Sequence, residues 1–272
     1  MGKATKNELY VHVQRFVREV YSEQLRKAGF VSYRNEDIHW FRLVNQEVIQ
    51  MIYFVTDYVG FPVMLEIGYG CHPLFIPPLL QKSPYMNPMP GNEQMYQLIP
   101  EINPGSMPHG VQRAQVHSVH NKIYRVPDVL VHCPYNDQTS MKILTNVLSV
   151  LDPIDTPAAC YEMHKHWRNS QIENGLWLTM TPYFVDEVLY WDDKSLYPFC
   201  IEYLNGRIAW LNDAQQAGKL ICKADQEELL RLHALQDVFH NEKRQSHVQV
   251  LCNRASENLI KLRKYFSLDT AL

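Results

Sequence analysis

Three runs of β-branched and aromatic residues, joined by short polar or turn-prone links, most constrain the fold of this chain. The runs are IHWFRLV (38–44), EVIQMIYFV (47–55) and PVMLEIGYG (62–70), and the links are NQ and TDYVGF. Residues of these types favour β-strands, and links this short connect antiparallel neighbours. The sequence therefore predicts an antiparallel β-meander.

A helix is predicted before the meander, over about residues 6–28. Thr5-x-x-Glu8 offers a capping box at its start, and Gly29 can adopt the left-handed conformation that ends a helix. The run at 47–55 carries apolar residues on both faces of its strand, so both faces of the sheet need cover. The first helix could cover one of them.

The pattern becomes helical from about residue 137. An apolar stripe ends at Asp152-Pro153, and Thr156-Pro157 and Thr181-Pro182 are typical of a helix cap followed by proline in the first turn. Two further amphipathic helices complete the chain. We expect an α+β fold: an N-terminal helix and meander in a domain of residues 1–136, followed by a mainly helical part of residues 137–272.

The segment 72–108 interrupts this pattern. It holds nine of the sixteen prolines but only three charged residues, Lys82, Glu93 and Glu101. A long irregular segment inside a compact domain is usually a functional loop or a disordered one, and its low charge argues against a solvated linker. We therefore expect this Pro-rich loop to lie on an apolar surface, either of its own chain or of a partner.

Charge and cysteine usage narrow the classes of function. The net charge is -3, and neither half of the chain is strongly basic, so no nucleic-acid partner is expected. The first ten residues lack the apolar core of a secretory signal, and no apolar stretch is long enough to span a bilayer. The six cysteines contain no C-x-x-C pair. A cytoplasmic protein with reduced thiols and no membrane association is expected.

Cys71 and His72 stand side by side where the third run ends. Because successive strand residues point to opposite faces, the two side chains diverge and cannot form a dyad with each other. Cys71 is then a small buried apolar residue, a role that cysteine commonly fills. The alternative is a thiolate activated by a distant histidine.

Histidines are concentrated between residues 109 and 132, which raises the possibility of a metal site. On a helix, His117 and His120 would be neighbours, and the apolar stripe of that stretch would leave the pair exposed; on a strand, their odd spacing would place them on opposite faces. No further ligands occur at a recognisable zinc spacing. The chain also lacks the G-x-G-x-x-G, Walker A, G-x-S-x-G and H-E-x-x-H motifs. No metal and no cofactor are expected.

The aromatic residues of the predicted sheet are the remaining indication of a ligand site. Trp40, Tyr53 and Tyr69 could line a concave surface, and such side chains supply large contact areas with a polar tip. The alternative is that they pack beneath helices. Together with His72, His117 and His120, they are our candidates for ligand binding. No catalytic residue is assigned.

Two stretches of the N-terminal part resemble the opening of certain bacterial domains of unknown function. They are LRKAGF (25–30) and IHWFRLVNQEVIQMIYF (38–54), and the similarity covers about the first 75 residues. The resemblance implies a helix followed by a meander and a bacterial origin. It implies no activity and no catalytic residue.

Two hypotheses of function follow, and whether the protein is an enzyme stays open. The first is a non-catalytic binding or interaction module, with residues 72–108 covering or contacting a protein partner or a second copy of the chain. The second is a small hydrolase with its site where residues 69–72 meet the histidine-rich segment 109–132, because irregular segments at strand ends often carry function.

Overall fold

The computed structural model describes residues 14–15, 17–32, 39–57, 64–75, 111–115, 138–173, 182–218 and 223–265. An antiparallel sheet near the N-terminus is followed by a mostly helical C-terminal part, which confirms the predicted α+β class. The chain divides into two compact units. The first unit comprises Met1–His72 and Val111–Cys160, and the second comprises Pro73–Gly110 and Tyr161–Leu272.

The predicted meander forms the centre of the sheet. Its strands follow chain order: β1 (Val31–Ser32), β2 (His39–Val44), β3 (Val48–Asp57), β4 (Met64–Pro73) and β5 (Val111–Gln115). The pairs β1/β2, β2/β3 and β4/β5 are antiparallel. The three sequence runs became β2, β3 and β4, whereas β1 and β5 had not been predicted.

A tight turn joins β2 to β3. Asn45 and Gln46 both have positive φ, at 49° and 59°, and the Glu47 N–H donates to the Val44 carbonyl at 3.0 Å. Two consecutive positive φ values match the right-handed twist of the strands that the turn connects. The Asn45 side-chain amide also donates to the Asp155 carbonyl at 3.1 Å, which fixes the turn to a distant part of the first unit.

The first helix ends where the sequence predicts. Helix α1 (Ser22–Lys27) is preceded by further helical residues at 14–15 and 17–20, and residues 1–13 lie outside the described part. Gly29 has φ of 82°, and the Phe30 N–H donates back to the Leu25 carbonyl at 2.9 Å. This left-handed glycine is the expected C-terminal cap.

The core of the first unit lies between the sheet and its helices. Trp40, Met51 and Ile52 are almost fully buried on β2 and β3, and the Tyr21 ring stacks on Phe54 with centroids 5.2 Å apart. Helix α2 (Gln138–Leu151) contributes the apolar stripe that its sequence predicts. The buried residues of that stripe are Leu144, Val147, Leu148 and Leu151.

Gln50 joins the sheet to the end of α2. Its amide nitrogen donates to the carbonyls of Leu151 and Ile154, each at 2.8 Å, and its side chain is fully buried. Its amide oxygen accepts from Arg42, which lies directly opposite on β2. Carbonyls at a helix end need external donors, and a buried donor of this kind satisfies them.

Arg42 extends this network to the first helix. Its guanidinium donates to the Ala28 carbonyl at 2.8 Å and to the Asp152 carboxylate at 2.7 Å, and it lies over the Phe30 ring. The five donors of arginine suit such a multiple contact. Arg42 and Gln50 therefore connect the sheet to the ends of both α1 and α2.

Most of the described residues of the second unit are helical. Its helices are the greater part of α3 (Pro157–Glu173), then α4 (Pro182–Trp191), α5 (Tyr197–Gln216), α6 (Lys223–His240) and α7 (Arg244–Tyr265), with a short 3₁₀ turn at Lys194–Leu196. Six consecutive residues of α4, from Phe184 to Leu189, are buried. A helix buried on every side lies at the centre of its bundle.

The start of α3 confirms another local prediction. Thr156 caps it, since the Ala159 N–H donates to the Thr156 hydroxyl at 3.2 Å. Pro157 occupies the first helical position, where a missing N–H has no cost.

None of the described helices combines the length and the apolar character that a bilayer crossing needs.

Replacing Gln50 with leucine should lower the free energy of unfolding by about 2 to 4 kcal/mol, because the Leu151 and Ile154 carbonyls each lose a buried hydrogen bond and Arg42 loses one of its acceptors. Urea titration followed by fluorescence measures the change. Gln215→Leu, at an exposed position of α5, is the matched control and should change stability little. Equal effects of the two substitutions would contradict the proposed role of the network.

His39 should make the first unit sensitive to acid. Burial lowers the pKa of His39 from 6.5 to about 4, so the folded state keeps the ring neutral while the unfolded state binds a proton. Stability is complete above pH 6.5 and is lost as the pH falls towards 4, by about 2 to 3 kcal/mol at pH 4.5. Urea titrations at pH 7 and pH 4.5 measure the change in the free energy of unfolding. Between these two pH values, His39→Gln should lose less stability than the unchanged protein does. An NMR titration that gives His39 an ordinary pKa would refute this explanation.

Candidate functional site

The aromatic candidates on the sheet do not share one environment. Trp40 is fully buried, with the Arg26 guanidinium 5.6 Å from its ring centroid, so a ligand cannot reach it without rearrangement. Tyr53 lies on β3 opposite His39. Tyr69, on β4, is half-buried, and this burial raises its pKa. His117 and His120 lie outside the described residues.

Cys71 and His72 occupy consecutive positions of β4, and both are buried. Their alternation along the strand keeps them from facing each other, as the sequence predicts. The Cys160 thiol donates to the Cys71 sulfur at 3.3 Å. Within the first unit, Cys71 therefore contacts a second thiol.

A group of buried charges lies in the second unit, around Asp186 of α4. Its two carboxylate oxygens accept from Arg231 of α6 at 2.6 Å and from His247 of α7 at 2.7 Å. The Asp186 side chain is 2% exposed, and those of its partners are 16% and 18% exposed. One carboxylate thus links three helices in a water-poor interior.

The surrounding cations hold Asp186 in its charged form. Burial by itself would raise its pKa, but the charge of Arg231, the hydrogen bond and charge of His247, and the charge of Arg254 together lower the pKa below its ordinary value. A carboxylate that loses its hydration is stable only with such compensation. The cluster is therefore built for an ionised Asp186.

A second buried carboxylate follows immediately on α4. Both oxygens of Glu187 lie 2.9 Å from Nδ1 of His164 on α3, and both side chains are fully buried. Adjacent helical residues point about 100° apart, so α4 directs one carboxylate towards α3 and the other towards α6 and α7. The burial of this pair gives a substrate no access to the imidazole.

One face of α7 holds the beginning of the Pro-rich segment. The Asn258 side chain is buried and donates to the Leu74 carbonyl at 2.8 Å, and Arg254 makes a longer contact of 3.5 Å with the Phe75 carbonyl. His247, Arg254 and Asn258 recur at intervals of seven and four, which places them along one side of the helix. That side thus joins the Asp186 cluster to two backbone carbonyls.

An aromatic pocket receives Phe75. Its ring stacks on Tyr190 with centroids 4.2 Å apart, and it forms a buried cluster with Leu251. Tyr183 and Ala255 pack against this cluster. We call the pocket, together with Arg254 and Asn258, the Phe75 anchor.

The position of Tyr190 in the anchor is itself supported. Arg244, the first residue of α7, donates to the Leu189 carbonyl at 2.6 Å and to the Tyr190 carbonyl at 2.9 Å. These carbonyls belong to the last turn of α4, where a cation is also favoured by the helix dipole. The end of α4 and the start of α7 are therefore held together beside the pocket.

These contacts hold the turn at Leu74 and Phe75 through both its backbone and a side chain. Side chains of α7 reach the backbone carbonyls, while the pocket accepts an aromatic side chain. The carboxylates of Asp186 and Glu187 already accept hydrogen bonds at both oxygens, so they orient their partners. Among the described residues, no group of three or more His, Cys, Asp and Glu side chains could hold a metal ion.

Neither the Asp186 cluster nor the Phe75 anchor is predicted by the sequence pattern. One signal was present: α4 reads PYFVDEVLYW, in which two carboxylates lie within an otherwise apolar helix. A helix that is apolar on all sides is buried, so carboxylates at its centre need buried cations. The identity of those partners could not be read from the sequence, because they come from separate helices.

Comparison of the chain with protein-family profiles, with curated protein sequences and with solved structures finds no match.

Replacing Asp186 with asparagine should lower the free energy of unfolding by about 3 kcal/mol. The substitution preserves shape but leaves Arg231 and Arg254 in a poorly hydrated site without their counter-charge. Thermal and urea unfolding measure the loss. Asp237→Asn is the control, because that carboxylate pairs with Lys243 at the surface, and it should leave stability nearly unchanged. Similar losses for the two variants would show that the cluster is not a major support of the fold.

Proposed function

We propose that the protein is a non-catalytic binding module whose contact surface is the apolar, Pro-rich segment that starts at the Phe75 anchor. The observation that carries the proposal is the fixation of Leu74 and Phe75 by α4 and α7. A segment whose start is fixed loses less conformational entropy when the remainder binds.

The composition of the segment supports a protein as the partner. Residues 76–108 contain prolines, tyrosines and methionines but only three charged side chains. Aromatic residues and methionine are enriched at the centres of protein interfaces, where charged residues are depleted. Proline reduces the freedom of the unbound segment and so favours binding.

The partner is a protein with an apolar groove, and a second copy of this chain is the simplest case. Nucleic acid is a poorer candidate, because the net charge is -3 and the segment carries only Lys82 as a cation.

A cytoplasmic location is part of the proposal, since the cysteines show no pairing pattern typical of secreted domains.

Chymotrypsin can test whether the segment rests on a surface. Tyr85 and Tyr96 are cleavage sites within residues 76–108. We expect cleavage of the intact protein to be at least about tenfold slower than cleavage of a synthetic peptide of the same residues, since a docked segment is cut only when it is released. Protection that increases with protein concentration identifies a second copy as the surface. Equal rates at all concentrations would refute the proposal.

Phe75→Ala should weaken the protection. Loss of the stacked ring removes the main apolar contact of the anchor, so cleavage at Tyr85 should accelerate at least about tenfold. Phe199→Ala, on the exposed side of α5, is the matched control and should leave the rate unchanged. Circular dichroism of both variants establishes that the bundle remains folded. Unchanged cleavage in a folded Phe75→Ala protein would show that the anchor does not position the segment.

A further inference from the structure

Cys71 and Cys160 form a pair of neighbouring buried sulfur atoms in the first unit. Cys71 lies near the end of β4 and Cys160 in the first turn of α3, and 89 positions separate them in the chain. Their sulfurs are 3.3 Å apart, and both residues have no exposed surface. The sulfurs are about 1.3 Å farther apart than in a disulfide bond. Small side-chain rotations can close this distance.

The backbone around each sulfur is held in place. The Cys160 N–H donates to the Thr156 carbonyl at 3.1 Å. Thr156 is the N-terminal cap of α3, and Cys160 lies in the first turn of this helix. Cys71 is part of the β4 strand. Because both side chains project from regular secondary structure, their proximity does not depend on a chance loop conformation.

We propose that Cys71 and Cys160 are a redox-sensitive pair that forms a reversible intramolecular disulfide. The oxidant is of the hydroperoxide class, since a small molecule is needed to reach sulfurs buried in the fold. This inference does not depend on the proposed binding function. It also modifies the expectation that all cysteines stay reduced, because disulfides that form in the cytoplasm are usually transient and redox-sensing.

The chemistry balances with hydrogen peroxide as oxidant. The Cys160 thiolate attacks one peroxide oxygen, a sulfur–oxygen bond forms, the oxygen–oxygen bond breaks, and hydroxide leaves to become water. The Cys71 thiolate then attacks the sulfenic sulfur, the disulfide bond forms, and the second oxygen leaves as water. Two thiols and one peroxide thus give one disulfide and two waters. A small dithiol reverses the reaction and takes up the disulfide bond itself.

The positions of the two cysteines in the chain suggest what the bond would do. The chain passes from the first unit to the second between His72 and Pro73, and again between Cys160 and Tyr161. A disulfide would therefore join the two places where the chain leaves the first unit and enclose the Pro-rich segment in a covalent loop. Such a long loop restricts the unfolded chain strongly, so oxidation should stabilise the protein.

Peptide mapping of the full-length protein tests the proposal. Reduced protein is treated with hydrogen peroxide, blocked with N-ethylmaleimide under denaturing conditions and digested with trypsin. Residues 43–82 and 143–165 are tryptic peptides that each contain a single cysteine. We expect these peptides to be found cross-linked, and to separate after dithiothreitol. The melting temperature should rise by about 5 to 15 °C on oxidation and return on reduction.

Variants and a denatured control make the result decisive. Cys71→Ala and Cys160→Ala should each abolish the rise in melting temperature, whereas Cys252→Ala, at an exposed position, should preserve it. If either buried variant fails to fold, the peptide map of the unchanged sequence still decides. The absence of the cross-link under conditions that fully oxidise Cys252 would overturn the proposal. Formation of the cross-link only in urea-unfolded protein would overturn it equally.

Discussion

The ionised carboxylate of Asp186 is the constraint around which the second unit is arranged. It accepts hydrogen bonds from α6 and α7 while lying on α4, so three helices meet at one buried charge. Removing a carboxylate from water is costly, and an apolar core of similar volume is often as stable as a buried ion pair. The contribution of the cluster is therefore orientation, because charge pairing and hydrogen-bond direction determine which faces of the helices meet. The same arrangement presents Arg254 and Asn258 to the carbonyls of Phe75 and Leu74.

In the first unit, a buried polar group also fixes the elements around it, but this group is neutral. Gln50 is fully buried and uses both ends of its amide, with the nitrogen on helix-end carbonyls and the oxygen on Arg42. Because an unsatisfied buried amide is expensive, the position of α2 against β3 is restricted to the one that satisfies it. In both units, buried polar side chains restrict the freedom that a purely apolar core would leave to its helices.

Local features of the fold could be predicted because local physics decides them. The three β-rich runs became β2, β3 and β4, Gly29 ends the first helix with positive φ, and Thr156 caps α3. The residues of the candidate site were harder to predict from the sequence. Trp40, selected as a possible ligand residue, is buried in the core, and the residues of the Phe75 anchor had not been selected at all. Whether an aromatic residue of a strand lies in the core or at the surface depends on which helices cover that face of the sheet. The residue pattern of a single strand carries no information on which helices do so.

The sequence by itself determined the α+β class, the order of the three central strands ahead of the helical part, and the unusual composition of the central Pro-rich segment. These depend on neighbouring residues, through side-chain alternation, turn geometry and helix capping. Only the tertiary structure decided that Gln50 contacts Leu151, 101 positions away, and that Cys160 contacts Cys71, 89 positions away. Such pairings depend on the packing of whole helices against the sheet and against one another. Each is the joint result of many weak contacts, so no short stretch of sequence specifies it.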